Sequence, residues 1–293
     1  MSFPWFESQF NAIVERASAK KLHHGLLFVG SRGTGKSDIL VEMARYLLCS
    51  NKSACGQCQS CLLYKAGNHP DLIVTQYDKT IGVDTIREGI NRLSQTSHLG
   101  SDKVMLVNNA HKMTAAASNA LLKTLEEPTK NTFILMSATS TNELLPTILS
   151  RCEKHMVQVK HKESVQLWLK ERNVSAATEL IDLYWTKPKL IESIVQDEGL
   201  QECVDWLKTM HKPGTALAVP GKLHEEHQLL LDWLNFQMAE LKRAEISDAI
   251  KLRIFDMYSA VTDAQKKLQA QGVNKALILE KLLQTWRHFS TFI

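Results

Sequence analysis

The sequence contains 293 residues with a formal net charge of +4, and 44% of the residues are hydrophobic against 23% that are charged. This composition excludes an intrinsically disordered chain, and the length predicts about two domains or more. No stretch comes near the roughly 18 consecutive apolar residues of a membrane span, and residues 1–10 lack a signal-peptide pattern, so we expect a cytoplasmic protein. The mild positive charge permits contact with DNA without establishing it.

A glycine-rich loop follows the first predicted strand. The apolar run at 26–29 predicts a buried strand, the segment 38–48 predicts a helix, and the loop between them is Gly-Ser-Arg-Gly-Thr-Gly-Lys-Ser. In such a loop, backbone amides, a lysine and a hydroxyl group surround nucleotide phosphates. A turn without ligand is the alternative. The residues predicted to bind phosphate, with ATP or ADP as candidate ligands, are Gly30, Gly33, Gly35, Lys36 and Ser37.

Four of the six cysteines are crowded into residues 49–61. In a reducing compartment this indicates a metal site rather than disulfides, and the short spacings of Cys49, Cys55, Cys58 and Cys61 suit tetrahedral Zn²⁺. A site with four thiolates has no open coordination position, so the predicted role of zinc is structural. An iron–sulfur cluster is the rival, although the fourth cysteine of a ferredoxin run, followed by proline, is missing.

Further apolar runs alternate with helical segments along the first half of the chain. The runs lie at 72–74, 104–107 and 133–136, and the predicted helices lie at 83–97 and 115–127. Such alternation predicts an α/β fold with a parallel, doubly wound sheet. The bounds of the last helix are the best defined, because Thr114 is a suitable N-cap and Pro128 cannot continue a helix.

The strand predicted at 104–107 runs into Asn108 and Asn109. Nucleotide hydrolysis at a phosphate loop requires an acidic residue at the end of a neighbouring strand to hold Mg²⁺, and a carboxylate that orients water. An amide side chain carries no negative charge and can perform neither task, and Asp102 lies at the wrong end of this strand. Asp78 is an alternative that would require another strand order. The sequence therefore predicts that this chain is not a competent ATPase.

Beyond about residue 159 only helical periodicity is present. Short helices predicted at 163–172, 176–184 and 190–196 indicate a small helical domain, and a second helical region begins near residue 199. Apolar residues in this second region step by three and four positions, which predicts the core of a helix bundle. These residues are Ile250, Ile254, Met257, Val261, Ala264, Leu268, Leu279, Leu282, Trp286 and Phe289. We expect domains at 1–160, 161–198 and 199–293.

Three segments together resemble bacterial clamp-loader subunits of the AAA+ class. They are the cysteine cluster, the run Ser-Asn-Ala-Leu-Leu-Lys-Thr-Leu-Glu-Glu-Pro at 118–128, and Leu-Ser-Arg-Cys at 149–152. Their order and spacing match the family across residues 1–160, and the helical regions match by length and pattern. The resemblance implies an AAA+ P-loop sheet domain with a zinc insertion, a small helical lid domain and a C-terminal helical collar for oligomerisation.

The family contains ATPase subunits and a subunit type that does not hydrolyse ATP. Active members carry an Asp-Glu pair where this chain has Asn108 and Asn109, and lid arginines where this chain has Thr-Lys-Pro-Lys at 186–189, whereas Arg151 is kept. The resemblance implies a DNA polymerase III clamp-loader subunit that is silent itself and presents Arg151, as an arginine finger, to the ATP of a neighbour. The silent type often has a degenerate phosphate loop, whereas Lys36 and Ser37 are intact here, so nucleotide binding is left open.

The resemblance also implies partners. They are the gamma/tau ATPase and delta subunits of the same complex and, indirectly, the sliding clamp and primed DNA. DNA-directed DNA polymerase activity would belong to the whole holoenzyme rather than to this chain. Two alternatives are a self-sufficient clamp-loader-type ATPase and a zinc-stabilised scaffold with no nucleotide role.

Overall fold

The computed structural model describes residues 3–75, 79–100, 102–210, 219–243, 247–268, 270 and 272–291. The chain divides into two compact units, one formed by residues 1–172 with 186–190 and the other by residues 173–185 with 191–293. The division into three domains stays a prediction. None of the described helices combines the length and apolarity that a membrane span requires.

The first unit is built on a parallel β-sheet. Its described strands are β1 (Gly25–Val29), β2 (Leu72–Val74), β3 (Lys103–Val107), β4 (Thr132–Ala138) and β5 (Glu153–Met156). They are arranged in the order β2-β3-β4-β1-β5, and every neighbouring pair is parallel. This confirms the predicted α/β fold with a parallel sheet. Because all strands run the same way, the carboxyl ends of β1, β3 and β4 lie together at one edge.

Helices connect and cover these strands. They are α1 (Glu7–Ser18), α2 (Lys36–Leu48), α3 (Gln59–Lys65), α4 (Val83–Ser94), α5 (Ala115–Glu126), α6 (Pro146–Leu149) and α7 (Lys162–Glu171). Helix α5 begins as predicted, because the Thr114 hydroxyl accepts a hydrogen bond from the Ala117 backbone N–H at 3.2 Å. It ends two residues before Pro128, within one residue of the predicted end.

The sequence did not predict β5. Its residues, Glu-Lys-His-Met, contain no apolar run, and among the described strands it lies at the edge of the sheet beside β1. An edge strand is solvated along one side and tolerates charged residues. Glu153 is held in this strand by Arg16, whose Nη2 atom lies 2.5 Å from Oε1.

Apolar side chains from the sheet and from two helices form the core beside the strand ends. Leu27, Met105 and Ile134 of the sheet belong to one buried cluster with Ile86 of α4 and Leu121 of α5. Close packing of this kind permits little movement of the strands. The loops at their carboxyl ends are therefore carried by a rigid base.

All regular elements among the described residues of the second unit are helices. Its helices are α8 (Thr178–Tyr184), α9 (Pro188–Gln196, whose first turn is counted with the first unit), α10 (Glu198–Thr209), α11 (Gly221–Glu225), α12 (His227–Arg243), α13 (Asp248–Leu268) and α14 (Lys275–Ser290). Nine of the ten residues in the predicted apolar stripes of α13 and α14 are buried, which confirms that the stripes form core, and Ile250 is half-buried. Trp286 packs edge-on against Trp233 of α12, with ring centroids 5.3 Å apart.

Candidate functional site

The glycine-rich loop leads from β1 into α2. Gly33 and Gly35 have φ values of 87° and 88°, in the left-handed region that favours glycine. A Cβ atom on Gly33 would lie 2.9 Å from Lys187 Cβ, and one on Gly35 would lie 2.7 Å from the Phe3 ring. Both positions therefore require glycine for backbone conformation and for space.

Lys36 is the first residue of α2, and the loop closes around its side chain. Its Nζ donates to the backbone oxygens of Gly30 at 2.6 Å and Ser31 at 2.7 Å. The residue is buried, and burial lowers the pKa of the ammonium group to about 8. Trp5 adds a contact that the sequence did not predict: its Nε1 donates to the Thr34 carbonyl at 3.1 Å. The loop is thus preformed around a cation.

A cleft of about 420 Å³ opens at this loop. Arg32, Lys36, Lys112 and Lys189 contribute cationic side chains to its lining, and Asp38 is the only carboxylate among the described lining residues. The Asp38 carboxylate lies 3.7 Å from Lys189 Nζ. An excess of positive charge beside backbone amides at a helix N-terminus suits the phosphate groups of a ligand.

The end of β3 brings Asn108 and Asn109 to the same edge of the sheet. The Asn109 N–H donates to Ser137 Oγ at 3.0 Å, and Ser137 Oγ donates to Asn108 Oδ1 at 3.4 Å. Asp102 lies at the other end of β3, where its carboxylate is 2.6 Å from Lys52 Nζ. Asp78 lies outside the described residues. Among the described residues, the end of β3 thus carries amides where Mg²⁺-dependent hydrolysis requires carboxylates, and Asn109 lines the cleft.

The four clustered cysteines converge as the sequence predicted. Their Sγ atoms all lie within 4.8 Å of one another, and none of them forms a disulfide. Cys49 Sγ is 3.7 Å from Cys55 Sγ and 3.9 Å from Cys58 Sγ. Four sulfurs at about 2.3 Å from a tetrahedral metal ion would be about 3.8 Å apart. The cluster could therefore hold a metal ion.

Helix ends and backbone N–H groups position these thiols. Cys49 directly follows α2, and Cys58 is the N-cap of α3, where its Sγ accepts from the Cys61 N–H at 3.4 Å. Burial disfavours the Cys49 thiolate, but backbone N–H groups outweigh this effect and lower its pKa to about 5. Burial and neighbouring thiols raise the pKa of Cys61 to about 12. A bound cation would relieve this crowding of sulfurs.

Arg151 lies between α6 and β5. Its Nη2 is 2.5 Å from Glu126 Oε1 at the end of α5, and its Nη1 donates to the Thr147 carbonyl at 3.1 Å. The sequence did not predict this partner for Arg151. About a third of the Arg151 side chain is exposed, so the guanidinium group is accessible.

Arg151 is remote from the chain's own phosphate loop. It precedes β5, which runs parallel to β1 with Leu26 opposite Glu153, so it lies at the amino ends of the strands. Lys36 lies beyond the carboxyl end of β1. The five residues of β1 separate the two by about 16 Å at 3.3 Å per residue. The structure thus brings together the phosphate loop and Asn109, but not Arg151.

Comparison with known proteins identifies the family. The model of the family described as "DNA polymerase III, delta subunit" matches residues 6–161. The DNA polymerase III subunit delta-prime of Haemophilus influenzae is 34% identical over 294 residues, covering 96% of this chain and 89% of that protein. The chain belongs to the DNA polymerase III delta-prime family. This confirms the resemblance to DNA polymerase III clamp-loader subunits.

Two other matches differ in extent. The delta-prime subunit of Escherichia coli K12 is 36% identical over 173 residues, covering 57% of this chain and 52% of that protein. Among solved structures, a DNA polymerase III gamma subunit-related protein from Thermotoga maritima aligns over 98% of this chain and 99% of its own, with a TM-score of 0.59 and 18% identity. This second likeness supports the fold alone. The delta-prime relationship therefore depends on the sequence matches.

Proposed function

We propose that this delta-prime family member works inside the DNA polymerase III clamp-loader complex and takes part in ATP-driven loading of the sliding clamp onto primed DNA. Its direct partners are the gamma/tau ATPase and delta subunits, and the clamp and DNA are indirect partners. This role places the chain in the cytoplasm. The observation that carries the proposal is the division of one sheet into two edges. The described residues at the end of β3 have amides where an ATPase has carboxylates, and Arg151 lies at the amino edge.

In this proposal the chain does not hydrolyse ATP. The phosphate loop keeps the groups that bind phosphates, so a vestigial site could still bind ATP or ADP. The residues of this loop are Gly30, Gly33, Gly35, Lys36 and Ser37. Cleavage requires Mg²⁺ and an oriented water, and Asn108 and Asn109 carry no charge for either task. A self-sufficient ATPase would need a carboxylate at this position.

Arg151 serves a neighbouring subunit. A guanidinium group stabilises the charge that develops on the transferred phosphoryl group when it is supplied in trans. The length of β1 keeps Arg151 away from its own phosphate loop, whereas its exposure permits contact with the nucleotide of another subunit. Before that contact forms, Glu126 and the Thr147 carbonyl orient the Arg151 side chain.

The metal in this proposal is one structural Zn²⁺ held by Cys49, Cys55, Cys58 and Cys61. The separations of 3.7 and 3.9 Å between sulfurs fit tetrahedral zinc. When bound, zinc would cross-link the end of α2 to the start of α3. No catalytic step passes through it, because four thiolates fill the coordination sphere.

Reconstitution tests the proposal. Gamma/tau and delta subunits from the same organism are assembled with and without this chain, and clamp loading onto primed DNA is measured together with ATP hydrolysis. We expect loading only when the chain is present, and ATP turnover that depends on it. Equal loading without the chain would refute the clamp-loader role.

A further inference from the structure

A relay of buried hydrogen bonds connects the cysteine cluster with the start of β2. The Asp71 N–H donates to His69 Nδ1 at 3.1 Å, His69 Nε2 lies 2.7 Å from Ser60 Oγ, and Ser60 Oγ donates to the Leu48 carbonyl at 2.6 Å. His69 is 5% exposed and Ser60 is 1% exposed. Polar groups at this depth are costly to leave unpaired, so the loss of one member would leave another unsatisfied.

The relay has a single direction. Because the Asp71 N–H requires an acceptor, Nδ1 of His69 is unprotonated and the proton of the neutral ring is on Nε2. Nε2 therefore donates to Ser60, which leaves the hydroxyl proton for Leu48. Burial lowers the pKa of His69, which favours the neutral ring that this pattern needs.

The members of the relay lie next to the thiols. Ser60 is in the first turn of α3 between Cys58 and Cys61, and Leu48 is the last residue of α2, directly before Cys49. The relay therefore connects the two helix ends that carry three of the four thiols. Neither hydrogen bond of Ser60 involves a sulfur atom.

The other end of the relay is anchored in the sheet. The Asp71 carboxylate accepts from the Ser97 hydroxyl at 2.9 Å and from the backbone N–H groups of His98 at 2.9 Å and Leu99 at 3.1 Å. The Asp71 carbonyl accepts from the Val104 N–H at 2.9 Å. His69 is thus held by a residue that is itself fixed against β3.

We propose that His69 is a positioning residue for the metal site: through Ser60 it holds the first turn of α3 against the end of α2 and so preorganises the thiols. The inference rests on the proposed metal role of the cysteine cluster. Residues behind the ligands tune metal affinity by orienting the ligands, because an ordered site loses less freedom on binding. Without the imidazole, α3 could shift and the thiols would spread.

Two substitutions at one position separate the two hydrogen bonds of the ring. In His69→Asn the short side chain can still accept from the Asp71 N–H, but it does not reach Ser60. In His69→Gln the amide nitrogen can reach Ser60 and donate to it. We expect His69→Asn and Ser60→Ala to raise the zinc Kd about 10-fold, which is the low end of the effect for residues that support metal ligands. His69→Gln should raise the zinc Kd less than about 3-fold, because its hydrogen bond to Ser60 remains.

The Kd is measured on the full chain by competition with a chromophoric chelator, and the thiolate-to-metal absorption of the cobalt(II)-substituted protein reports ligand geometry. The exposed His161 provides a control, His161→Asn, which should match the unmodified chain. If His69→Asn does not fold, Ser60→Ala makes the same comparison. An unchanged zinc Kd in folded His69→Asn or Ser60→Ala, even with a lower melting temperature, would overturn the positioning role. An unmodified chain that binds no zinc would instead refute the metal site, and the inference with it.

Discussion

Arg151 and Glu126 form an ion pair that joins the Ser-Arg-Cys turn to the end of the Glu-Glu-Pro helix, with Nη2 and Oε1 2.5 Å apart. The two side chains are 34% and 49% exposed. Pairs at such exposure contribute about 0–1 kcal/mol to stability. A pair this weak leaves the guanidinium group available, as the proposed role of Arg151 at a neighbouring nucleotide requires.

Replacement of Arg151 by alanine should leave the fold intact and impair the assembled complex. An arginine finger accounts for roughly 10³ to 10⁵ in rate in related phosphoryl transfer, so ATP turnover at the neighbouring site and clamp loading should both slow strongly. Arg151→Lys should not rescue, because an ammonium group lacks the planar two-pronged donor geometry. Turnover and loading are measured in the reconstituted complex. An unmodified rate with Arg151→Ala would exclude the trans role.

Glu126→Gln offers the matched test of the partner. Its free energy of unfolding should change by less than about 1 kcal/mol, because the pair is exposed. Turnover in the complex should be affected far less than by Arg151→Ala, since the guanidinium group remains. The two measurements are denaturant unfolding and ATPase assays of the assembled complex. Equal damage from both substitutions would mean that the ion pair, rather than the arginine, is what matters.

The isolated chain should hydrolyse ATP no faster than its Lys36→Ala variant. Asn108 and Asn109 follow β3, and Asn109 lines the cleft, so bound nucleotide would lack the carboxylates that hold Mg²⁺ and orient water. Phosphate release is measured at saturating ATP for both proteins. A clear excess in the unmodified chain would contradict the silent site.

One zinc ion should be found per chain purified under reducing conditions. Cys58→Ser should lower the zinc content and the melting temperature, because metal binding to such a site is coupled to folding. Cys203→Ser is a suitable control, since that buried cysteine lies outside the cluster and its loss should leave the zinc content unchanged. Elemental analysis that shows iron, or no metal, would contradict this prediction.

Lys36 should impose a specific pH dependence on stability. Its pKa falls from 10.5 to about 8 on burial, so between these values the unfolded chain holds a proton that the folded chain lacks. Stability therefore rises with pH in this window relative to Lys36→Met, by on the order of 1 kcal/mol or more. Denaturant unfolding of both proteins at pH 7.5 and pH 10 measures the difference. A gap that does not change with pH would show that the ammonium group is not desolvated.

Much of the first unit followed from local patterns. The strands around the phosphate loop contain apolar runs, and α5 has a hydrogen-bonding N-cap and a terminating proline. Short stretches of sequence were therefore enough to predict these strands and this helix. Strand β5 was not predicted, because an edge strand needs little apolar surface and its Glu153 is stabilised by Arg16, far away in the sequence. The hydrogen bonds of His69 were not predicted either, because a histidine before a proline indicates only a turn.

The sequence by itself determined three features of the candidate sites. They are a glycine-rich phosphate loop, four thiols at metal-binding spacings, and amides where an ATPase has carboxylates. These are properties of residue type and short spacing. Only the tertiary structure decided that Arg151 and Lys36 lie at opposite ends of β1, that Glu126 pairs with Arg151, and that Ser60 hydrogen-bonds to His69. Such relationships arise from strand order and from hydrogen bonds between distant segments, which no local pattern records.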